Sequence, residues 1–322
     1  MKAHIISVND VNQALYEALW WIKITGIVET SRNGPVLVAP GPVITEYATP
    51  QHRVLYSPAR DANPVFHLVE AAWMLAGRNL VEELTPFNAG MAAYANQGVL
   101  HGAYGHRWRS AMGFDQLRAL VQHLEDNPES RRAVLQMWDA HQDLGVSMND
   151  IPCNTHVYLD LRGGRLNMTV CCRSNDIVWG AYGANVVHFS FLQEWLSAAL
   201  GVPMGVYTQM SNNFHIYTEN EAAKRCLKNG CEPEYRVAPA IPLVACGENA
   251  WDFLYDCELF FENLPMPPRT YFAKRVLWPL AHAYLTRKNG GDWAACLVDT
   301  PHCDWRVAFE EWAARRDEPA AD

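Results

Sequence analysis

Apolar residues at Val11, Leu15, Ala18, Leu19 and Ile22 recur at helical spacing, so the pattern predicts an amphipathic helix over Val8 to Gly26. Glu29 to Pro35 has turn chemistry and leads into two alternating stretches, Val36 to Val38 and Val43 to Tyr47, that read as strands. Pro64 to Ala76 is a helix with a single charge, Glu70, inside an apolar run. Gly77 to Gln97 is helix and loop without a clean period, and Gly102 and Gly105 bracket Tyr104 in what reads as a tight bend. Phe114 to Glu125 is a second amphipathic helix, followed by a strand over Ala133 to Trp138. Thr155 to Leu161 alternates, turns at Gly163-Gly164 and returns as a strand over Leu166 to Cys172. Then come a Gly-rich turn, a helix over Val187 to Leu200, a strand over Gly205 to Met210 and helices over Glu219 to Lys228 and Ala250 to Glu262. A proline-rich linker, Leu264 to Pro268, precedes two or three Trp-rich helices and a charged tail.

At 322 residues and 49% apolar content the chain can bury a large core, which reads as one domain with an appendage. The net charge of -9 argues against a nucleic-acid or anionic-membrane surface, so an anionic ligand has to be met by a local arginine cluster. Nine cysteines, an odd number without CxxC spacing, read as a reducing cytoplasm. No metal site is expected from the histidine spacing, and no apolar run is long enough for a membrane span.

The chemistry gathers between Ile151 and Tyr217. Ile-Pro-Cys153-Asn154 stands before one strand, Arg173-Ser174-Asn-Asp176 ends the next, and Asn185 and His215-Ile-Tyr217 follow. A cysteine after proline at a strand edge is more often a packed thiol than a nucleophile. Arg173 one hairpin away changes that balance, because a cation can hold the thiolate, while Glu70, Tyr104 and His215 are proton-transfer candidates. Burying Glu70 among apolar neighbours costs several kcal/mol unless it is paired or protonated, which marks it as a functional acid. Arg131-Arg132, beside a strand, is the most obvious anion clamp. A Cys/His/Asn protease is the competing nucleophilic reading, without a protease signature to support it.

These ordered motifs, together with Arg32, Glu70-Ala-Ala-Trp73-Met-Leu and Tyr104-Gly-His-Arg-Trp108, resemble the thymidylate synthase family, which includes the pyrimidine-nucleotide hydroxymethylases, over about residues 10 to 260. The resemblance implies an α+β fold with a large mixed sheet packed with helices, a sheet-to-sheet homodimer, a catalytic domain over 1–262 and an extra C-terminal helical extension over 263–322. By the same resemblance Cys153 adds to C6 of a pyrimidine nucleoside 5'-monophosphate, and C5 then attacks the one-carbon unit of 5,10-methylenetetrahydrofolate. Arg32, Arg173 and Ser174 are implied to grip the phosphate, joined by Arg131 and Arg132 across the dimer interface. Asn185 reads the pyrimidine and His215 and Tyr217 the sugar. Asp176 and Trp73 meet the folate, and Glu70, Tyr104 and Asn154 manage protons and water.

The departures from the family pattern bear on the product. No Trp lies between Trp73 and Trp108, the chain ends in a helical extension instead of a short apolar terminus, and Asn154 and Asn212-Asn213 replace the usual residues. Hydride transfer needs a folate held close with water excluded, so these changes favour hydration to a hydroxymethyl group over methylation. Asn185 favours dUMP, with dCMP next and CMP as a further alternative. The non-enzyme alternative is a degenerate nucleotide-binding scaffold, and a hydroxymethylated nucleotide fits a phage enzyme acting in the host cytoplasm.

Overall fold

The computed structural model describes residues 2–317 apart from 236, 237, 263 and 265. The charged tail expected beyond Asp317, and Pro265 in the expected linker, lie outside the described residues. In chain order the strands and main helices begin β1 (His4–Val8), α1 (Val11–Thr25), β2 (Ile27–Ser31), β3 (Gly34–Val38), β4 (Val43–Tyr47), α2 (Pro64–Leu75) and α3 (Gln116–Asp126). β5 (Val134–Gln136), β6 (Asn154–Arg162), β7 (Arg165–Asp176), α4 (Val186–Ala199), β8 (Met204–Tyr217) and α5 (Glu221–Asn229) follow. α6 (Ala250–Glu262), α7 (Trp278–Lys288) and α8 (Asp304–Asp317) complete the set.

The strands form one mixed eight-stranded sheet, so the α+β expectation holds. Its order is β1-β4-β8-β7-β6-β5, with the β2–β3 hairpin added along the last residues of β8. β7 and β8 run parallel through the α4 crossover, and β1 pairs parallel with β4. One face packs under the helices through Val157, Leu159, Val170 and Tyr207. On the other, Tyr158, Val206 and Met210 remain exposed by 37 to 48%.

Three elements differ from the sequence pattern. β2 runs to Ser31, leaving only Arg32-Asn33 as the turn. β8 continues past Met210 to Tyr217, because Ser174 and Asp176 of β7 give its polar stretch partners at Asn213 and His215. The Gly-rich turn is a wide helical segment over Ile177–Asn185, capped by Asp176.

α2 and α4 explain how the site is buried. Asn63 caps α2 by accepting from Phe66 N–H (3.1 Å), and Pro64 stands at its first position. All twelve α2 residues are buried, because α4 packs on it from the sheet side and α6, α7 and α8 also pack on it. The segment beyond residue 263 belongs to the same core: Phe191 of α4 packs against Phe272 and Trp305. Tyr284 donates to Phe87 O (2.9 Å), and Arg316 pairs with Asp61 (2.6 Å).

Candidate active site

Cys153 stands on the loop entering β6, tied to β7 by Arg173 N–H donating to Cys153 O (2.8 Å). The Tyr104 hydroxyl accepts from Cys153 N–H and Asn154 N–H, both at 3.2 Å. With both lone pairs engaged, that hydroxyl has only its proton to offer a ligand. Tyr104 reaches this point because its turn lies directly on α2: a Cβ on Gly105 would stand 1.9 Å from Met74 O, so only glycine fits. Burial pushes the Tyr104 phenol well above its usual range and keeps it protonated. Burial also pushes the Cys153 thiol up, Asp150 adds to this, and Arg173 and Arg32 pull it back toward the thiolate.

Tyr104 is also on the wall of a cavity of about 170 Å³, lined with it by Glu70, Asp150, Asn185 and His188 among others. Glu70 Oε2 is 2.9 Å from His188 Nε2, and both residues are buried. His188 Nδ1 is buried without a partner among the described residues, so the proton that satisfies the pair sits on Nε2 and points at the carboxylate. Asn185 is buried at 6% exposure, accepting a hydrogen bond from Asn154 Nδ2 (3.0 Å) and donating one to Asn175 Oδ1 (3.0 Å).

The rim of the site is cationic. Arg173 is exposed, held by Pro152 O (2.9 Å) and Ile151 O (3.1 Å), with its guanidinium over the Trp138 ring. Ser174, half-buried, follows it. The hairpin tip carrying Arg32 meets the end of β8, where Asn33 Nδ2 reaches the Tyr217 hydroxyl at 3.5 Å. The His215 ring packs edge-on against Tyr217 and bonds Asn213 (2.8 Å); burial lowers its pKa, with Asp176 opposing. Asp176 Oδ1 accepts from Val178 N–H and Trp179 N–H, while Oδ2 is buried with only the more distant Tyr217 N–H facing it. Burial raises this carboxyl. Trp73 lines the cavity but is 1% exposed, and its indole N–H donates to Glu83 (2.8 Å).

Thus Glu70, Tyr104 and Asn185 line the cavity, and Cys153 and Asn154 adjoin it through their bonds to Tyr104 and Asn185; Arg173 and Arg32 act on Cys153, while Asp176, His215 and Tyr217 form a second group at the ends of β7 and β8. Arg131 and Arg132 are not brought in. They are exposed before β5, and the β5–β6 register carries them alongside Asp160, about 20 Å along β6 from Asn154 at ~3.3 Å per residue.

Residue-by-residue reading missed His188, Asp150 and Asn175, and the rim pair Met91 and Tyr94. His188 had a signal: it is the lone titratable group in the opening apolar turns of α4. Asp150 accepts from Gly102 N–H (2.7 Å), and burial raises its pKa. Tyr94, 54% exposed, is the aromatic that the segment without a Trp turns to the cavity. Among the described residues no cluster of three His, Cys, Asp or Glu could hold a metal ion, and no helix is long and apolar enough to cross a membrane.

A family model described as thymidylate synthase matches residues 60–248. The chain is 40% identical to a deoxyuridylate hydroxymethyltransferase of Pseudomonas phage M6, over 97% of this chain and 94% of that protein. Proteins of the same name match at 35% identity in Bacillus phage SP01 (57% of this chain, 51% of that protein) and 30% in Delftia phage PhiW-14 (66% and 62%). Since the family model covers more than half of the residues and the M6 protein aligns along nearly the whole length, the chain belongs to the thymidylate synthase family.

Proposed function

We propose that this chain is a deoxyuridylate hydroxymethyltransferase, converting dUMP to its 5-hydroxymethyl derivative with 5,10-methylenetetrahydrofolate as one-carbon donor. The observation that carries this reading is the cavity, where the Asn185 amide and a buried carboxylate–imidazole pair face one volume and the Tyr104 hydroxyl on its wall holds the Cys153 backbone beside it. The names of the phage relatives point to the same reaction.

The folate supplies the one-carbon unit. Two groups suit a flat ring bearing N–H donors: Asp176 Oδ2, a buried acceptor with spare capacity, and Tyr94, an exposed aromatic lining the cavity. Cys153 adds as thiolate to C6, and Arg173 and Arg32 favour that charge. After the one-carbon unit has bonded to C5, loss of the C5 proton expels tetrahydrofolate as its carbon–nitrogen bond breaks, and an exocyclic methylene stands conjugated to the C4 carbonyl. Water oxygen bonds to the methylene carbon, its proton passes to the Glu70 carboxylate, and the electron pair moves onto O4. Collapse of that enolate forms the C5–C6 double bond and expels the Cys153 thiolate. His188 takes one Glu70 oxygen, so the other is turned to the cavity to receive the proton.

Arg131 and Arg132 enter this scheme only from a second chain, because they lie too far from their own Cys153. The partly apolar open sheet face, with Tyr158, Val206 and Met210, is the surface for that homodimer. Host cytoplasm is the compartment that the free cysteines and the phage relatives fit. Release of tritium from C5 of labelled dUMP, dependent on methylenetetrahydrofolate and lost in Cys153→Ala while dUMP still binds, tests the scheme. Release that persists in the variant removes Cys153 as nucleophile.

A further inference from the structure

Asn185 does not stand alone. Asn154 Nδ2 donates to Asn185 Oδ1 (3.0 Å), Asn185 Nδ2 to Asn175 Oδ1 (3.0 Å), and Asn175 Nδ2 to Ser211 Oγ (2.9 Å). None of the four is more than 6% exposed. The three bonds run in one direction, so each amide fixes the rotation of the next. Gly180 closes over the row: a Cβ there would stand 2.7 Å from Asn175 Oδ1.

The ends of the row do not impose that direction. The Ser211 hydroxyl can accept or donate, and Asn154 Oδ1 is buried without a partner among the described residues. With all three amides turned over, Ser211 donates to Asn175, Asn175 to Asn185 Oδ1, and Asn185 Nδ2 to Asn154 Oδ1. The two directions exchange the places of the carbonyl and the amino group that Asn185 turns to a ligand. Uracil offers an N–H at N3 and an acceptor at O4; cytosine offers the inverse pattern. One bidentate amide therefore matches one pyrimidine in each direction.

We infer that Asn154, Asn175 and Ser211 are specificity-determining residues that act through Asn185, fixing the direction of its amide so that it takes uracil over cytosine. This rests on the placement of the pyrimidine against Asn185 proposed above. The three are positioning residues, and their effect falls on the ratio between two nucleotides.

Aspartate separates the two directions, because an ionised carboxylate only accepts. Asn175→Asp accepts from Asn185 Nδ2 and preserves the present direction. Asn154→Asp also accepts from Asn185 Nδ2, and so reverses it. The measurement is kcat/KM for dUMP and for dCMP, at alkaline pH to keep the new carboxyl ionised. Asn154→Asp should lower the dUMP-to-dCMP ratio roughly ten- to hundredfold, whereas Asn175→Asp should hold or raise it. A carboxylate next to Cys153 slows both substrates, which cancels in the ratio. Ratios that move together in the two variants, or do not move, overturn the inference. Should Asn154→Asp not fold, Asn154→Leu cuts the row without adding charge and should bring the ratio toward unity; an unchanged ratio overturns it equally. The same ratio of dUMP and dCMP dissociation constants tests the row without turnover. A different product would therefore sink the proposed reaction and still leave the row tested.

Discussion

The wall of the cavity and the arginine rim solve opposite problems. On the wall, Glu70, His188, Tyr104, Asn154, Asn175 and Asn185 are nearly all buried and hold one another, 2.9 to 3.2 Å apart where they bond. On the rim, Arg32 and Arg173 are exposed, and no carboxylate among the described residues pairs with either of them, in a chain of net charge -9. A wall of this kind is preorganised by the packing of α2 against α4, so it needs no ligand to form. A rim of this kind is electrostatically incomplete, and an anion completes it.

The largest effect should come from breaking the wall. Glu70→Gln keeps the shape and removes the proton acceptor, and should lower kcat about 10² to 10⁴-fold in a steady-state assay of product, with dUMP affinity little changed. His188→Leu should cost less, about 10 to 10²-fold, because Glu70 remains but loses its orienting donor. Activity near the native level in both variants would show that the hydration step uses another base.

Breaking the rim should instead act on binding. Arg131→Ala combined with Arg132→Ala should be inactive at low dUMP, and mixing it with inactive Cys153→Ala should restore activity through sites assembled from two different chains. No recovery after subunit exchange would place both arginines outside the site. Arg173→Ala should weaken dUMP binding by about 1.5 to 3 kcal/mol, measured by calorimetry. It should also raise the Cys153 pKa further, since Arg173 is the main group pulling it down, so alkylation of the thiol at a fixed pH should slow.

How much of this was legible depends on how local each signal was. β6, β7 and α4 could be read because their alternation or period is carried by neighbouring residues, and the cysteine, arginine and histidine motifs lie at their ends. β1 was passed over: it is a five-residue edge strand whose one sheet partner among the described residues, β4, comes from Val43 onward. The polar end of β8 carried no strand signal because its partners are on β7. The pairing of His188 was hidden for the same reason, its partner being 118 residues away, and Asn175 acquires meaning only when Asn185 and Ser211 are brought beside it. Nothing in the pattern near Arg131 showed that the start of β5 lies at the opposite end of β6 from its own Cys153.

The smallest effect concerns the extension. Burial alone would raise the Asp61 pKa, but Arg316 and Arg315 override it and hold it below 3.8. A depressed carboxyl contributes stability above its unfolded pKa, lost as pH falls through the lower folded value. Arg316→Ala should therefore cost up to about 1 kcal/mol at neutral pH, seen as a slightly lower Tm, with the difference fading below pH 3.8 and kcat unchanged. A large loss of activity would tie the clasp to the site.

The most direct test is mass spectrometry of the nucleotide formed from dUMP and 5,10-methylenetetrahydrofolate. A gain of a hydroxymethyl group, with tetrahydrofolate released, is the result expected if the Glu70–His188 pair delivers water to the exocyclic carbon. A gain of a methyl group, with dihydrofolate appearing, would show that the cavity excludes water and that the pair serves a hydride-transferring enzyme instead.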